Sequence, residues 1–129
     1  MTQDHLGRTV VQRRYVPYSH AHYAGNLVDG AYVLALFGDV ATELCILLDG
    51  DEGLFAAYSD VQFLAPLRGG DVVEASATLV RRGRRSREIQ FAAHVVARSA
   101  PQRGPSAADV LAEPLLITTA RGTVVVPLA

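Results

Sequence analysis

Two acidic residues, Asp39 and Glu43, interrupt the most apolar run of the chain, AYVLALFGDVATELCILL at Ala31–Leu48. Their i, i+4 spacing sets them about one turn apart on one face if the run is helical. A carboxylate taken out of water without a partner costs several kcal/mol, so a pair kept inside such a run needs a role. One role is structural: holding Arg side chains from the sheet or from a partner subunit. The other is chemical: one or both face a cleft, and one removes a proton as a general base. Thr42 is the only other strongly polar residue there.

The start of the run supplies a second ingredient. Asp29 is placed to cap a helix, whose first N–H groups, near Gly30 and Ala31, carry partial positive charge outward. A carbonyl oxygen set there would be polarised, and an enolate forming on it stabilised. Gly30 has no side chain to obstruct a ligand, and it equally suits a tight turn. His20, His22, Tyr23 and Asn26 lie in the loop before it. Histidine titrates near neutrality, so either ring can move a proton, bind a carboxylate, or simply hydrogen-bond its own loop. Asn26 can orient a substrate or cap the loop. His-x-His without further Cys or His is a weak ligand pattern, so no metal is expected.

Arg81, Arg82, Arg84, Arg85 and Arg87 crowd one turn. This is either a solvated hairpin tip or a phosphate contact, for which the guanidinium fork is well shaped. Tyr58 and Asp60 fall on one strand face by period two. Cys45 has no His near it in sequence and reads as a structural thiol.

These residues need elements to hold them. Thr9–Tyr18 reads as a strand, with Pro17 ending its pairing. Ser19–Gly30 is a structured loop, and Ala31–Leu48 a helix apolar on nearly all sides, hence buried on most of them. It stops at the breaker DGDEG, Asp49–Gly53. Four strands follow: Leu54–Leu64, Val72–Arg82, Arg87–Arg98 and Leu115–Pro127. Ser99–Glu113 is a Pro/Ser/Gly-containing loop insertion with a short helical turn at Ala107–Leu111. The class is α+β: a long helix wrapped by a curved antiparallel sheet of about five strands, the hotdog architecture, in a single domain over 1–129. Such a roll leaves an edge strand and a helix flank uncovered, so a homodimer or higher homo-oligomer is expected.

The totals agree. The 129 residues suit one domain. A formal net charge of −1 gives no reason to expect nucleic acid or a membrane surface, and the Arg cluster lacks interleaved aromatics. A lone cysteine suits a reducing compartment. No N-terminal apolar region marks a signal peptide, and no uncharged stretch reaches the ~18 residues of a membrane span. A soluble, cytoplasmic protein is expected.

The block YVPYSHAHYAGNLVDGAYVLALFGDVATELCI, followed by DGDEGLFAAYSDVQFLAPLRGGDVVEASATLVRRGRRS, resembles the hotdog-fold acyl-CoA ammonia lyases, those acting on 3-aminobutyryl-CoA and β-alanyl-CoA. AGNLVDGA and GDVATEL are the more specific segments; FLAPLRGGDVVEASATLV is similar to hotdog thioesterases and hydratases in general. The resemblance implies reversible loss of ammonia from a small β-aminoacyl-CoA, as in lysine degradation. It implies no cofactor beyond the coenzyme A carried by the substrate. Glu43 would be the base and Asp39 the holder of the substrate ammonium, or the reverse, with the Gly30 and Ala31 end of the helix holding the enolate oxygen. His20, His22, Asn26, Asp29 and Tyr58 would line the substrate site, and Arg82, Arg84, Arg85 and Arg87 would meet the coenzyme A phosphates. An acyl-CoA thioesterase, an enoyl-CoA hydratase and a non-enzymatic acyl-CoA-binding module are the alternatives on the same scaffold.

Overall fold

The structure, a computed structural model, describes residues 5–127. In chain order its elements are β1 (Thr9–Tyr15), β2 (Ala21–Tyr23), β3 (Leu27–Val28), α1 (Gly30–Asp49), β4 (Leu54–Phe63), β5 (Leu67–Arg68), β6 (Val72–Arg82), β7 (Ser86–Ser99) and β8 (Ala108–Val125). Five strands form one antiparallel sheet in the order β1-β6-β7-β8-β4; the short β2, β3 and β5 form a second.

The period-two pattern of β6 and β7 turns Val73, Ala75, Ala77, Leu79, Ile89, Phe91, Ala93 and Val95 inward, all fully buried. Helix α1 lies on that face with Val33, Leu36, Phe37, Val40, Ala41, Leu44 and Cys45 buried. The Phe37 and Phe91 rings stack at 4.9 Å and join helix to sheet. Each large apolar side chain so buried contributes about 1.5–3 kcal/mol through its removal from water.

The helix is not covered on most sides. Ala31, Ala35, Asp39, Thr42 and Ile46 are exposed along one stripe, because the sheet packs on one flank only. Its length and apolarity match a membrane span, yet it packs on the sheet as a core helix and carries Asp39 and Glu43 midway.

Strand β8 also departs from expectation. Ala107–Leu111 is not a helical turn: Ala108, Asp109 and Val110 pair with Ser99, Arg98 and Ala97 of β7. The β-branched and apolar residues there extend the hairpin, and Arg103 Nη2 donates to the Ala108 carbonyl at 2.9 Å across its turn. The loop within 99–113 therefore shrinks to the turn between Ser99 and Ala108.

Candidate active site

Asp29 caps α1: its Oδ1 accepts from the Tyr32 backbone N–H at 3.2 Å, leaving the N–H groups of Gly30 and Ala31 without intrahelical acceptors. Gly30 has a packing role. The Phe63 ring of β4 occupies the place where a Cβ on Gly30 would stand. Around this helix end, His22 Nδ1 lies 3.9 Å from Asp29 Oδ2, and the His20 ring sits 4.7 Å from that of Tyr32. Asn26, exposed and held at φ 61°, accepts at its backbone oxygen from Gly69 N–H at 2.9 Å. His20, His22, Asn26, Asp29, Gly30 and Ala31 are thus brought together.

That loop is pinned from below by a residue the sequence reading missed. Asp71, fully buried, accepts from Arg98 Nε at 2.9 Å and Nη2 at 2.8 Å, and from the Arg68 N–H at 2.8 Å. The turn it holds, Gly69–Gly70, packs on Tyr18; Gly70 is at φ +89°, where a side chain is disfavoured, and its Cβ position is filled by the Tyr18 ring.

The two carboxylates stand elsewhere. Glu43 is half-buried and Asp39 exposed, not enclosed. Gln12 Nε2 donates to Glu43 Oε1 at 2.6 Å. Arg14 Nη2 donates to Gln12 Oε1 and lies 3.7 Å from Asp39 Oδ2. Both partners come from the inward face of edge strand β1. Nine residues separate Gly30 from Asp39 and thirteen separate it from Glu43, so at 1.5 Å per residue the helix end is about 14 Å and about 20 Å away along the axis. Within one protomer the helix N-terminus and the two carboxylates are not neighbours.

Tyr58 is drawn into the fold. Its hydroxyl donates to the Leu34 carbonyl at 2.5 Å, and its ring lies 4.3 Å from that of Phe55. Burial pushes the phenol up to about 12, with the Asp39 charge adding to the rise; the proton stays on, and Tyr58 tethers β4 to the helix. Asp60 does not share its face. Asp60 sits at φ 52°, in a register shift between Ser59 and Gln62 that breaks the period.

The arginine cluster divides. Arg87, 5% exposed, donates from Nε and Nη2 to Asp49 Oδ2 and Oδ1, both at 2.9 Å. Arg82 Nη2 reaches Asp49 Oδ1 at 2.5 Å. Both are committed to the helix C-terminus, not to phosphate: Asp49 would otherwise face the negative end of the helix dipole uncompensated. The Arg87 hydrogen bond holds the Asp49 carboxyl below the usual carboxylate range, against the opposing effect of burial. Arg84 and Arg85 are exposed at the hairpin tip. Burial, with the Asp49 charge second, raises the Cys45 thiol to about 11, which fits a structural thiol. Among the described residues, no three His, Cys, Asp or Glu side chains converge as a metal ion would need.

Comparison with known proteins places this geometry. Residues 25–96 match the thioesterase superfamily model. Over 107 residues the chain is 50% identical to 3-aminobutyryl-CoA ammonia lyase of Acetoanaerobium sticklandii, covering 83% of this chain and 85% of that protein. It superposes on β-alanyl-CoA:ammonia lyase from Clostridium propionicum with a TM-score of 0.88 at 35% identity, over 94% of this chain and 86% of that one. A hexameric hotdog-fold thioesterase of Campylobacter jejuni shares the fold alone, with a TM-score of 0.72 and 19% identity over 91% of this chain and 81% of its own. The chain belongs to the thioesterase superfamily and, within it, to the hotdog-fold acyl-CoA ammonia lyases.

Proposed function

We propose that the chain is a carbon–nitrogen lyase that reversibly eliminates ammonia from a small β-aminoacyl-CoA of the 3-aminobutyryl type, giving the enoyl-CoA. The 50% identity to a 3-aminobutyryl-CoA ammonia lyase carries this reading. Two carboxylates one turn apart and open to solvent agree with it. A non-enzymatic module would have both neutralised by Arg and closed off, whereas Glu43 meets the neutral amide of Gln12 and Asp39 meets Arg14 only at 3.7 Å.

In the proposed reaction Glu43 takes the α-hydrogen, which the thioester acidifies. The electron pair passes to the thioester oxygen as an enolate and then forms the Cα–Cβ double bond as the Cβ–N bond breaks. The nitrogen departs as ammonia, and Asp39 holds the ammonium before it leaves. The axial separation of Gly30 from both carboxylates has a consequence. If the N–H groups of Gly30 and Ala31 hold the enolate oxygen, the carboxylates acting on the same substrate belong to a second protomer. The exposed helix stripe and the exposed apolar residues Leu54, Phe63 and Leu64 on and beside edge strand β4 give that protomer a place to dock. A cytoplasmic homo-oligomer binding free acyl-CoA, with the coenzyme carried only by the substrate, completes the reading.

Crotonyl-CoA plus ammonium tests it, with enoyl absorbance and free thiol followed together. Loss of absorbance that depends on ammonium and releases no thiol is the expected result. Thiol release identifies a thioesterase, and ammonium-independent loss a hydratase.

The hairpin tip gives a second expectation. Replacing Arg84 and Arg85 together with Ala raises KM for acyl-CoA about tenfold, the scale of one lost charge-assisted hydrogen bond, with kcat unchanged. A thioester of 3′-dephospho-coenzyme A should be less sensitive. Equal KM values for parent and variant would remove the tip from the binding site.

A further inference from the structure

We propose that Gln12 and Arg14 of β1 are positioning residues that fix the Glu43 carboxylate in one orientation for proton abstraction; the role rests on the reading of Glu43 as the base. The guanidinium of Arg14 has donors and no acceptor, so the Gln12 atom it meets is Oε1. The amide is thereby locked with Nε2 towards Glu43, whose Oε1 it holds at 2.6 Å. A flipped amide would set its own N–H groups against those of Arg14. Glu43 Oε1 is occupied, and Oε2 is left for the substrate.

The interposed amide matters chemically. A guanidinium directly on Glu43 would favour its charged form strongly and weaken it as a base. Here the amide passes on direction without a full charge, and the Arg14 charge is set towards Asp39 at 3.7 Å. The charged groups on this side of Glu43 are Arg14 of β1 and Asp39 of its own helix. The inward residues of β6 packed against the helix, Val73, Ala75, Ala77 and Leu79, are apolar. Backbone pairing of Gln12 with Ala75 makes no demand for an amide side chain at this position.

Gln12→Leu keeps the bulk and removes the bond. Expected are a kcat about tenfold lower and a KM changed less than twofold, because the carboxylate loses the donor that orients it. Arg14→Met, which frees the amide to flip, should lower kcat by a smaller factor, again with KM little changed, and serves if Gln12→Leu does not fold. The Glu43 carboxyl 13C chemical shift, read by NMR at neutral pH, should change in both variants whether or not substrate turns over. Unchanged kcat in both variants, with only Tm lowered, makes the pair a mere stitch between strand and helix and overturns the proposal. If the parent protein turns nothing over, the reaction reading falls by itself; the NMR shift then decides the tether, which an unchanged Glu43 signal overturns.

Discussion

Glu43→Gln lowers kcat for ammonia addition to crotonyl-CoA by about 10²–10⁴, the usual contribution of a positioned general base, while Tm moves little. The small Tm change follows from the geometry. The new side-chain carbonyl still accepts from Gln12 Nε2, so the tie from β1 to α1 survives and only the proton acceptor is lost. Asp39→Asn makes the informative contrast. Asp39 is exposed and only loosely paired with Arg14, so its loss falls on KM for a β-amino substrate more than on the proton transfer. Circular dichroism and steady-state kinetics on the same samples decide the matter. Near-parental kcat in Glu43→Gln sinks its assignment as base, and a large kcat loss in Asp39→Asn with little in Glu43→Gln exchanges the two roles.

Asp49→Asn has the largest expected effect on stability. It leaves Arg87 buried with its charge uncompensated, a change that costs about 3–5 kcal/mol and lowers Tm by roughly 10 °C or more. The pH dependence has a definite sign. Because the folded protein holds the Asp49 carboxyl below its usual range, the stabilisation is fully present above the unfolded value, near pH 4. It fades as pH falls through the lowered folded value. The gap between parent and variant should therefore be wide at neutral pH and narrow on acidification, since a protonated Asp49 resembles Asn. Scanning calorimetry from pH 7 to pH 3 measures it. A gap constant across that range would mean that the Asp49 charge is not what Arg87 needs.

What sequence could supply divides along local and distant lines. The helix, its Asp29 cap and β6 were legible because each is written in a contiguous pattern: an apolar run behind a capping residue, or strict alternation. The partners of the charged residues were not. Gln12 and Glu43 lie 31 positions apart, and Asp49 and Arg87 lie 38 apart, so no spacing rule connects them. An arginine cluster looks the same in sequence whether it waits for phosphate or already clamps a helix end. Uniform apolarity concealed the bare stripe of α1, because composition alone does not say which flank of a helix the sheet will cover. Asp60 escaped because a bulge within a strand breaks the alternation used to assign faces. Of the candidate site, the grouping of His22, Asp29 and Gly30 at the helix entrance was readable, and the contact of β1 with Glu43 was not.

Among the described residues, strand β1 sits at the sheet edge and pairs only with β6, from Thr9 opposite Thr78 to Tyr15 opposite Val72. A slip by a single residue would turn Gln12 and Arg14 to the outer face and present Val11 and Arg13 to the helix. Two outer contacts oppose it: Thr9 Oγ1 to Thr78 Oγ1 at 2.8 Å and Arg13 Nη2 to Glu74 Oε2 at 2.6 Å. A slipped molecule would keep its helix clamp at Asp49, its stacked phenylalanines and most of its melting transition, and it would lose the Gln12 contact with Glu43. On the proposed role of Glu43, specific activity is therefore a gauge of strand alignment as much as of folded fraction, and the outer contacts of Thr9 and Arg13 hold the register that sets Gln12 against Glu43.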